Sequence, residues 1–294
     1  MSLRSFVTSK STVAVMDAKP FLKWAGGKSR LLPQFEPLFP KRFDDYYEPF
    51  VGSAAVYFHL CNLKSAGGLN QSMTGARLSD SNSELINCYI TLRDHINELV
   101  ELLFEHKKKH SKQHYYRIRG QDPKSLSHLQ RAARLIYLNK TCFNGLYRVN
   151  SKGEFNVPIG SYKNPAIADP KTLVKAHLAL QGVHLSTSKF SEVLQHAKAG
   201  DFVYFDPPYH PVSITSNFTS YTNEEFGERQ QSELRDVVRE LTTRGCMVMV
   251  SNSDAPFVWK LYGDFRQRHV HASRLINSNS DGRGKITELV ITNY

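Results

Sequence analysis

The sequence predicts an α/β fold: a sheet with helices on both faces, interrupted by a basic, mainly helical insert that carries a β-hairpin. Three observations predict it. From about residue 183 the chain alternates β-forming runs, turns and helical stretches, the pattern of a sheet covered on both sides. Residues 20–60 hold similar material, with "YYEPFVGSAAVYF" reading as a short strand, a glycine turn and a helix start. Between the two lies a segment of helical period that carries the charge. Glu101 to Lys175 holds 15 Lys and Arg against 5 Asp and Glu, which is +10 of the net +11. Basic charge concentrated in this way points to a polyanionic partner, most plausibly nucleic acid.

In chain order, residues 1–19 have an apolar patch of three or four residues and no small-residue cleavage pattern, so a loose, disordered leader is expected. Residues 20–82 form the first part of the sheet domain, in which 64–76 is a polar Gly/Ser loop and "RLSD" a short strand ending at Asp80. Residues 83–168 form the insert. Leu85, Tyr89, Leu92, Ile96, Leu99 and Leu103 repeat at helical spacing, which predicts one long helix ending in "KKKH". A second helix follows over 129–141, with Arg131 and Arg134 beside apolar positions. In 143–162, Ser151-Lys152-Gly153 is turn chemistry between polar and aromatic arms, a predicted hairpin with Arg148 and Lys152 near its tip. Residues 169–294 complete the sheet domain. They contain the strands "VHLST", "DFVYFD", "CMVMVSNSD", "RQRHVHAS" and "TELVITNY", and a helix from Thr222 capped by Thr222-x-x-Glu225 and stopped at Gly245.

No apolar run approaches the roughly 20 residues of a membrane span. Cys61, Cys88, Cys142 and Cys246 are scattered without C-x-x-C spacing, and the twelve histidines form no H-E-x-x-H. A metal-free protein of a reducing, cytoplasmic compartment is expected. "WAGGKS" (24–29) resembles the tail of a phosphate loop, but position 22, where the first glycine belongs, is Leu.

Chemistry concentrates at Asp206-Pro207-Pro208-Tyr209, directly after a run of β-formers. The two prolines would end any strand, but a terminator needs neither the acid nor the tyrosine. In open α/β sheets ligands bind outside the carboxyl ends of the strands. A carboxylate and a backbone carbonyl there would accept both N–H groups of a planar aromatic amine and localise its lone pair for attack. Tyr209 would stack on the ring. "EPFVG" followed by Asp80 reads either as an ordinary strand-turn or as a ribose-binding pair. Asp80 lies 28 residues past Gly52, beyond the usual ~20, with the intervening loop to absorb the excess.

Phe21-Leu-Lys-Trp-Ala-Gly-Gly-Lys28, Glu48-Pro-Phe-Val-Gly52, Phe143-Asn-Gly-Leu-Tyr-Arg148, Asn156-Val-Pro-Ile-Gly160 and Asp206-Pro-Pro-Tyr209 occur in this order. Together they resemble the Dam-type (D12 class) DNA adenine-N6 methyltransferases, over roughly Pro20 to Tyr294. The resemblance implies a Rossmann-like class I methyltransferase domain interrupted by a target-recognition insert, S-adenosylmethionine as methyl donor with S-adenosylhomocysteine as product, no metal, and double-stranded DNA as partner. It assigns Trp24, Lys28, Phe50, Gly52, Asp80, Phe190 and Asp206 to the cofactor. Asp206, Pro207 and Tyr209 fall to catalysis, and Lys23, Asn144, Leu146, Arg148, Pro158 and Tyr162 to DNA reading, as in GATC-specific enzymes. Residues 210–226 resemble the mobile loop over a flipped base. The expected setting is the cytoplasm of a prokaryote or phage-infected cell, with a cognate restriction endonuclease as a possible genetic partner.

Three positions depart from the family. Ala54 replaces a glycine, so a tighter backbone approach to the cofactor is expected. Lys189 stands where some relatives carry an acid, and Phe143 where some carry Tyr. Two other classes share most of these residues: a DNA-binding relative whose cofactor site Ala54 has closed, and an RNA or protein methyltransferase with the same pocket. The base-reading hairpin favours duplex DNA.

Overall fold

The computed structural model describes residues 16–68, 73–212, 226–273 and 285–294. The strands in chain order are β1 (Tyr46–Glu48), β2 (Ala76–Asp80), β3 (His184–Thr187), β4 (Phe202–Phe205), β5 (Met247–Ser253), β6 (Arg266–Ser273) and β7 (Lys285–Thr292). The helices of six or more residues are α1 (Ala55–Ser65), α2 (Ser83–Asp94), α3 (Ile96–Lys108), α4 (Lys112–Arg119), α5 (His128–Thr141), α6 (Pro170–Ala179), α7 (Glu228–Thr243) and α8 (Pro256–Leu261). The chain divides into two compact units. The first comprises Met1–Gly27, Gly52–Leu69 and Asn82–Thr187; the second comprises Lys28–Val51, Asn70–Ser81 and Ser188–Tyr294.

The second unit is the sheet unit. Its six strands are hydrogen-bonded in the order β2-β1-β4-β5-β7-β6. β2, β1, β4 and β5 run parallel, and β7 lies antiparallel between β5 and β6. β4 is buried along its whole length, as its unbroken apolar run requires of a central parallel strand. Val203, Phe205, Leu234, Val238, Val250 and Leu289 belong to the core on one side of it. The predicted strands are all present. The Thr222/Glu225 cap, like most of the 210–226 loop, lies outside the described residues. α7 begins at Glu228, and Gln230 reaches back to accept from the Gly227 N–H at 3.0 Å.

The first unit is helical. Its predicted long helix is two: α2 ends at Asp94 and α3 starts at Ile96, because His95 leaves the helical region (φ −135°, ψ 44°). Its N–H still bonds the Thr91 carbonyl at 2.8 Å, so the bend costs no hydrogen bond there and the stripe Leu85, Tyr89, Leu92, Leu99 and Leu103 stays buried across it. α5 starts with a capping box between Ser127 and Gln130. Of the insert's arginines, Arg134 is buried and donates to the Ile118 and Arg119 carbonyls at the end of α4, while Arg131 pairs with Glu84. Neither is a free surface cation, which a count of charges cannot reveal. Ahead of α1, Met16 donates to Ser65 Oγ at 2.8 Å and Ala18 to Asn62 Oδ1 at 2.9 Å.

Ala54, just before α1, adopts φ 55° and ψ 31°, the left-handed region that favours glycine. Its methyl group is fully buried. What the structure shows at Ala54 is backbone strain, at a position whose conformation favours glycine. Relief of that strain by Ala54→Gly, about 1–2 kcal/mol, is offset by a lost buried methyl and added chain entropy, so that variant stays within about 1 kcal/mol of the parent. Ala54→Val adds a β-branch to the strained position and overfills it, costing at least about 2 kcal/mol. Urea midpoints of the two variants check this.

Candidate functional site

Asp206 follows β4 at its carboxyl end, where Pro207 and Pro208 stop the ladder. Its Oδ1 lies 2.8 Å from Lys28 Nζ and is closed to solvent, while the side chain as a whole keeps 19% exposure. Oδ1 is thus closed off while part of the Asp206 side chain stays open. The Lys28 side chain is only 5% exposed, its Nζ 3.9 Å from Glu288 Oε2 and 4.8 Å from the centre of the Tyr209 ring. Tyr209 donates its hydroxyl to the same Glu288 Oε2 at 2.5 Å. Four side chains from the loop before the first helical turn, the end of β4, the following turn and β7 thus form one cluster, with Lys28 buried and the other three half-buried.

Burial pushes the Asp206 carboxyl up to about 6, with Lys28 pulling it down and Glu288 adding to the rise. Burial first, and then the two carboxylates, hold the Tyr209 phenol far above its ordinary value, so it stays a donor. The turn itself is held from behind. Gln231 of α7 donates to the Pro208 carbonyl at 2.8 Å, and Asn252 of β5 donates to Gln231 Oε1 at 2.9 Å. Both amides are fully buried. Asn252 Oδ1 accepts from the Ser253 N–H at 2.8 Å, and Ser253 Oγ donates to the His210 carbonyl at 2.6 Å.

Also in the second unit, Phe50 and Phe190 stack with centroids 5.5 Å apart and an interplanar angle of 22°, and Phe226 meets both edge-on. All three are partly buried. Asp80 ends β2, beside β1, and its carbonyl accepts from the Ser188 N–H. Partly covered aromatic faces and a strand-end carboxylate suit a nucleoside, the rings for its base and the acid for its ribose hydroxyls. Phe50 and Phe190 already touch, so a base would rest against the pair and not between them.

The first unit gathers the remaining predicted residues. Trp24 stacks on Tyr147 at 5.2 Å, and a Cβ on Gly52 (φ +44°) would stand 3.1 Å from the Trp24 ring. Lys23 is fixed through its backbone: its N–H donates to Asn139 Oδ1 at 2.8 Å, and Asn139 Nδ2 donates to the carbonyls of Lys23 and Gly145. Its ammonium donates to the Tyr162 hydroxyl at 3.0 Å and lies 4.1 Å from that ring's centre. Asn144, in the left-handed region at φ 54°, Leu146, Arg148 and Pro158 are exposed, as is Phe143. The hairpin is held by isolated antiparallel bridges, Cys142 with Ile159 and Val149 with Phe155, and turns through Gly153 at φ 78°. Arg148 donates from Nε to Asn156 Oδ1 at 2.7 Å, so the guanidinium is oriented with both terminal amino groups left for a partner. At the hairpin's base the Val157 carbonyl accepts from Tyr115 and Arg119 of α4.

Sequence reading missed Glu288, Gln231 and Asn252. Glu288 is a polar position within "TELVITNY", and Gln231 one polar residue of a polar helix; only their burial marks them. Lys28, which the resemblance gives to the methyl donor, is found paired with Asp206.

A carboxylate and a tyrosine at the end of a central strand, with nucleoside-suited aromatics in the same unit and an exposed basic hairpin in the other, are the parts of a nucleic-acid-modifying transferase. The D12 class N6 adenine-specific DNA methyltransferase family matches residues 24–276, and the chain belongs to that family. It is 42% identical to the Type II methyltransferase M1.LlaDCHI of Lactococcus lactis subsp. cremoris, over 95% of this chain and 96% of that one. It is 40% identical to the Type II methyltransferase M.MjaIII of Methanocaldococcus jannaschii, over 95% and 100%, and 34% identical to the DNA adenine methylase of Escherichia coli K12, over 92% and 94%. Membership implies S-adenosylmethionine as methyl donor, and the residues of the second unit fit a nucleoside-bearing group. Among the described residues no helix is long and apolar enough to cross a membrane, and no group of His, Cys, Asp or Glu is arranged to hold a metal ion.

Lys28→Met removes the cation that pulls the Asp206 carboxyl down, so Asp206 titrates above about 6 in that variant. Carboxyl NMR titration of parent and variant measures the direction; a titration unchanged or lowered contradicts the pairing.

Proposed function

We propose that this chain methylates N6 of adenine within GATC in duplex DNA, with the target base flipped out of the helix and the recognition hairpin of the first unit reading its neighbours. The observation that carries the reading is the state of Asp206: one oxygen is sealed against Lys28 while the side chain keeps part of its surface open, at the carboxyl end of a central strand. Bound S-adenosylmethionine supplies an electrophilic sulfonium methyl group. Phe50 and Phe190 would hold its adenine, and Asp80 its ribose.

Asp206 Oδ2 and the Pro207 carbonyl accept the two N6 hydrogens of the flipped adenine. This pulls the amine toward tetrahedral geometry and localises its lone pair. The Tyr209 ring stacks on the base. The bound proton becomes acidic only once nitrogen carries the methyl group, so no strong base is needed and a carboxylate suffices to receive it. The products are N6-methyladenine and S-adenosylhomocysteine. In the first unit, Arg148 reads a guanine edge, a contact worth about 1–3 kcal/mol of discrimination if bidentate. Lys23, Asn144, Leu146, Pro158 and Tyr162 complete the reading face, and exposed lysines neutralise phosphates, which makes binding fall steeply with salt. The likeness of the hairpin motifs to those of GATC enzymes supports the site. The Type II names of two relatives support a restriction-linked role.

Labelled methyl transfer to three duplexes tests this: one with GATC, one with those bases permuted, one with GATC methylated at both adenines. Incorporation is expected in the first alone, and equal incorporation into the first two removes the GATC assignment. Asp206→Ala abolishes turnover and leaves DNA affinity within a few fold. Because Asp206 must be ionised to accept N6–H, kcat/KM falls as pH drops through about 6, tenfold per unit well below it.

A further inference from the structure

Glu288 is a carboxylate in a place where a second acid works against the first. It stands in β7, in register with Ser253 of β5 on one side and Val270 of β6 on the other, so the sheet fixes its backbone. Its side chain is 15% exposed and points Oε2 at both Tyr209 and Lys28. A buried acid beside another acid is costly unless it does something for its neighbours. Tyr209 could find water for its hydroxyl at lower cost, and Lys28 already has Asp206.

We propose that Glu288 is a positioning residue for methyl transfer, fixing the Tyr209 ring through its hydroxyl and drawing the Lys28 ammonium to one side so that its contact falls on Oδ1 of Asp206. The proposal rests on the reading of Asp206 and Tyr209 given above. A tyrosine anchored at both ends, by its backbone in the Pro-Pro turn and by its hydroxyl on β7, presents one ring face at one angle. Without Glu288 the ring turns about its χ angles, and Lys28 is free to bridge both oxygens of Asp206 and block the amine. Both losses fall on the reacting geometry and neither on affinity for methyl donor or DNA.

Among the described residues the groups facing Asp206 are Lys28, Glu288, Tyr209 and, on β4, Tyr204, whose hydroxyl is bonded to Ser251. Of these Glu288 alone is a second negative charge. Glu288→Gln keeps size but offers Tyr209 a weaker, neutral acceptor and Lys28 no charge, so the acid limb of the kcat/KM profile moves to lower pH while the plateau kcat falls, by up to about 100-fold for a displacement near 1 Å. KM for S-adenosylmethionine and for the GATC duplex stays within about threefold, since no contact to either is lost. Tyr209→Phe lowers the plateau as well but does not move the limb down. The double variant Glu288→Gln/Tyr209→Phe falls short of the product of the two single effects, because both act through one hydroxyl.

A plateau kcat and an acid limb both unchanged in Glu288→Gln would overturn the proposal, as would full multiplicativity with Tyr209→Phe. Urea midpoints accompany the kinetics. If Glu288→Gln does not fold, Glu288→Asp keeps the charge but withdraws it from the tyrosine; it should lower the plateau kcat with KM within threefold, and an unchanged plateau sinks the idea. Asp206→Ala run alongside separates the failures. Turnover in Asp206→Ala defeats the underlying reading. A dead Asp206→Ala beside a parent-like Glu288→Gln defeats only the role of Glu288.

Discussion

A lysine ammonium and an aspartate carboxylate 2.8 Å apart, both largely withdrawn from water, set the terms for the second unit. Removing either charge from solvent is expensive, and attraction between the two offsets that cost only while geometry and hydrogen bonding are kept. The surrounding structure keeps them. β4 is packed on both faces and delivers Asp206 at a fixed height; Pro207 and Pro208 make the exit from the strand stiff; Gln231 and Asn252 hold the turn from behind. The pairing leaves the carboxylate ionised near neutral pH with one oxygen spoken for, which is the state a hydrogen-bond acceptor for an amine requires.

The helical unit solves a different problem, holding an irregular hairpin with few ladder bonds of its own. Two isolated bridges cannot fix a hairpin. Its rigidity is borrowed. Tyr115 and Arg119 bind the Val157 carbonyl, Arg134 ties down the end of the helix that carries them, and Asn139 joins Gly145 to Lys23. Buried arginine here is structural, and the exposed cations include Lys107, Lys108 and Lys109 at the end of α3 as well as Arg148 and Lys152 of the hairpin.

Much of this was legible in the sequence, for identifiable reasons. Strands such as "DFVYFD" and "CMVMVSNSD" announce themselves because central parallel strands are apolar on both faces, and the Pro-Pro turn marks its own position. The break at His95 was not legible, since a one-residue bend leaves the spacing of the apolar stripe intact. Glu288 lies 82 residues beyond Asp206 in the chain and reaches it only because β7 inserts antiparallel beside β5. Its role depends on sheet order, which local pattern does not encode. The burial of Arg134 and the pairing of Arg131 with Glu84 were not legible either, because composition counts cations without saying which way they point.

The fit at Gly145 bears on how such a reader changes its target. A Cβ there would stand 2.4 Å from the Lys23 side chain, and the residue holds φ +65°. The scaffold under the hairpin therefore tolerates almost no variation, whereas Arg148 and its partner Asn156 sit above it with room to be replaced as a pair. If the hairpin reads DNA as proposed, a new recognition sequence would be reached by exchanging the exposed pair and leaving the packed frame beneath it unchanged.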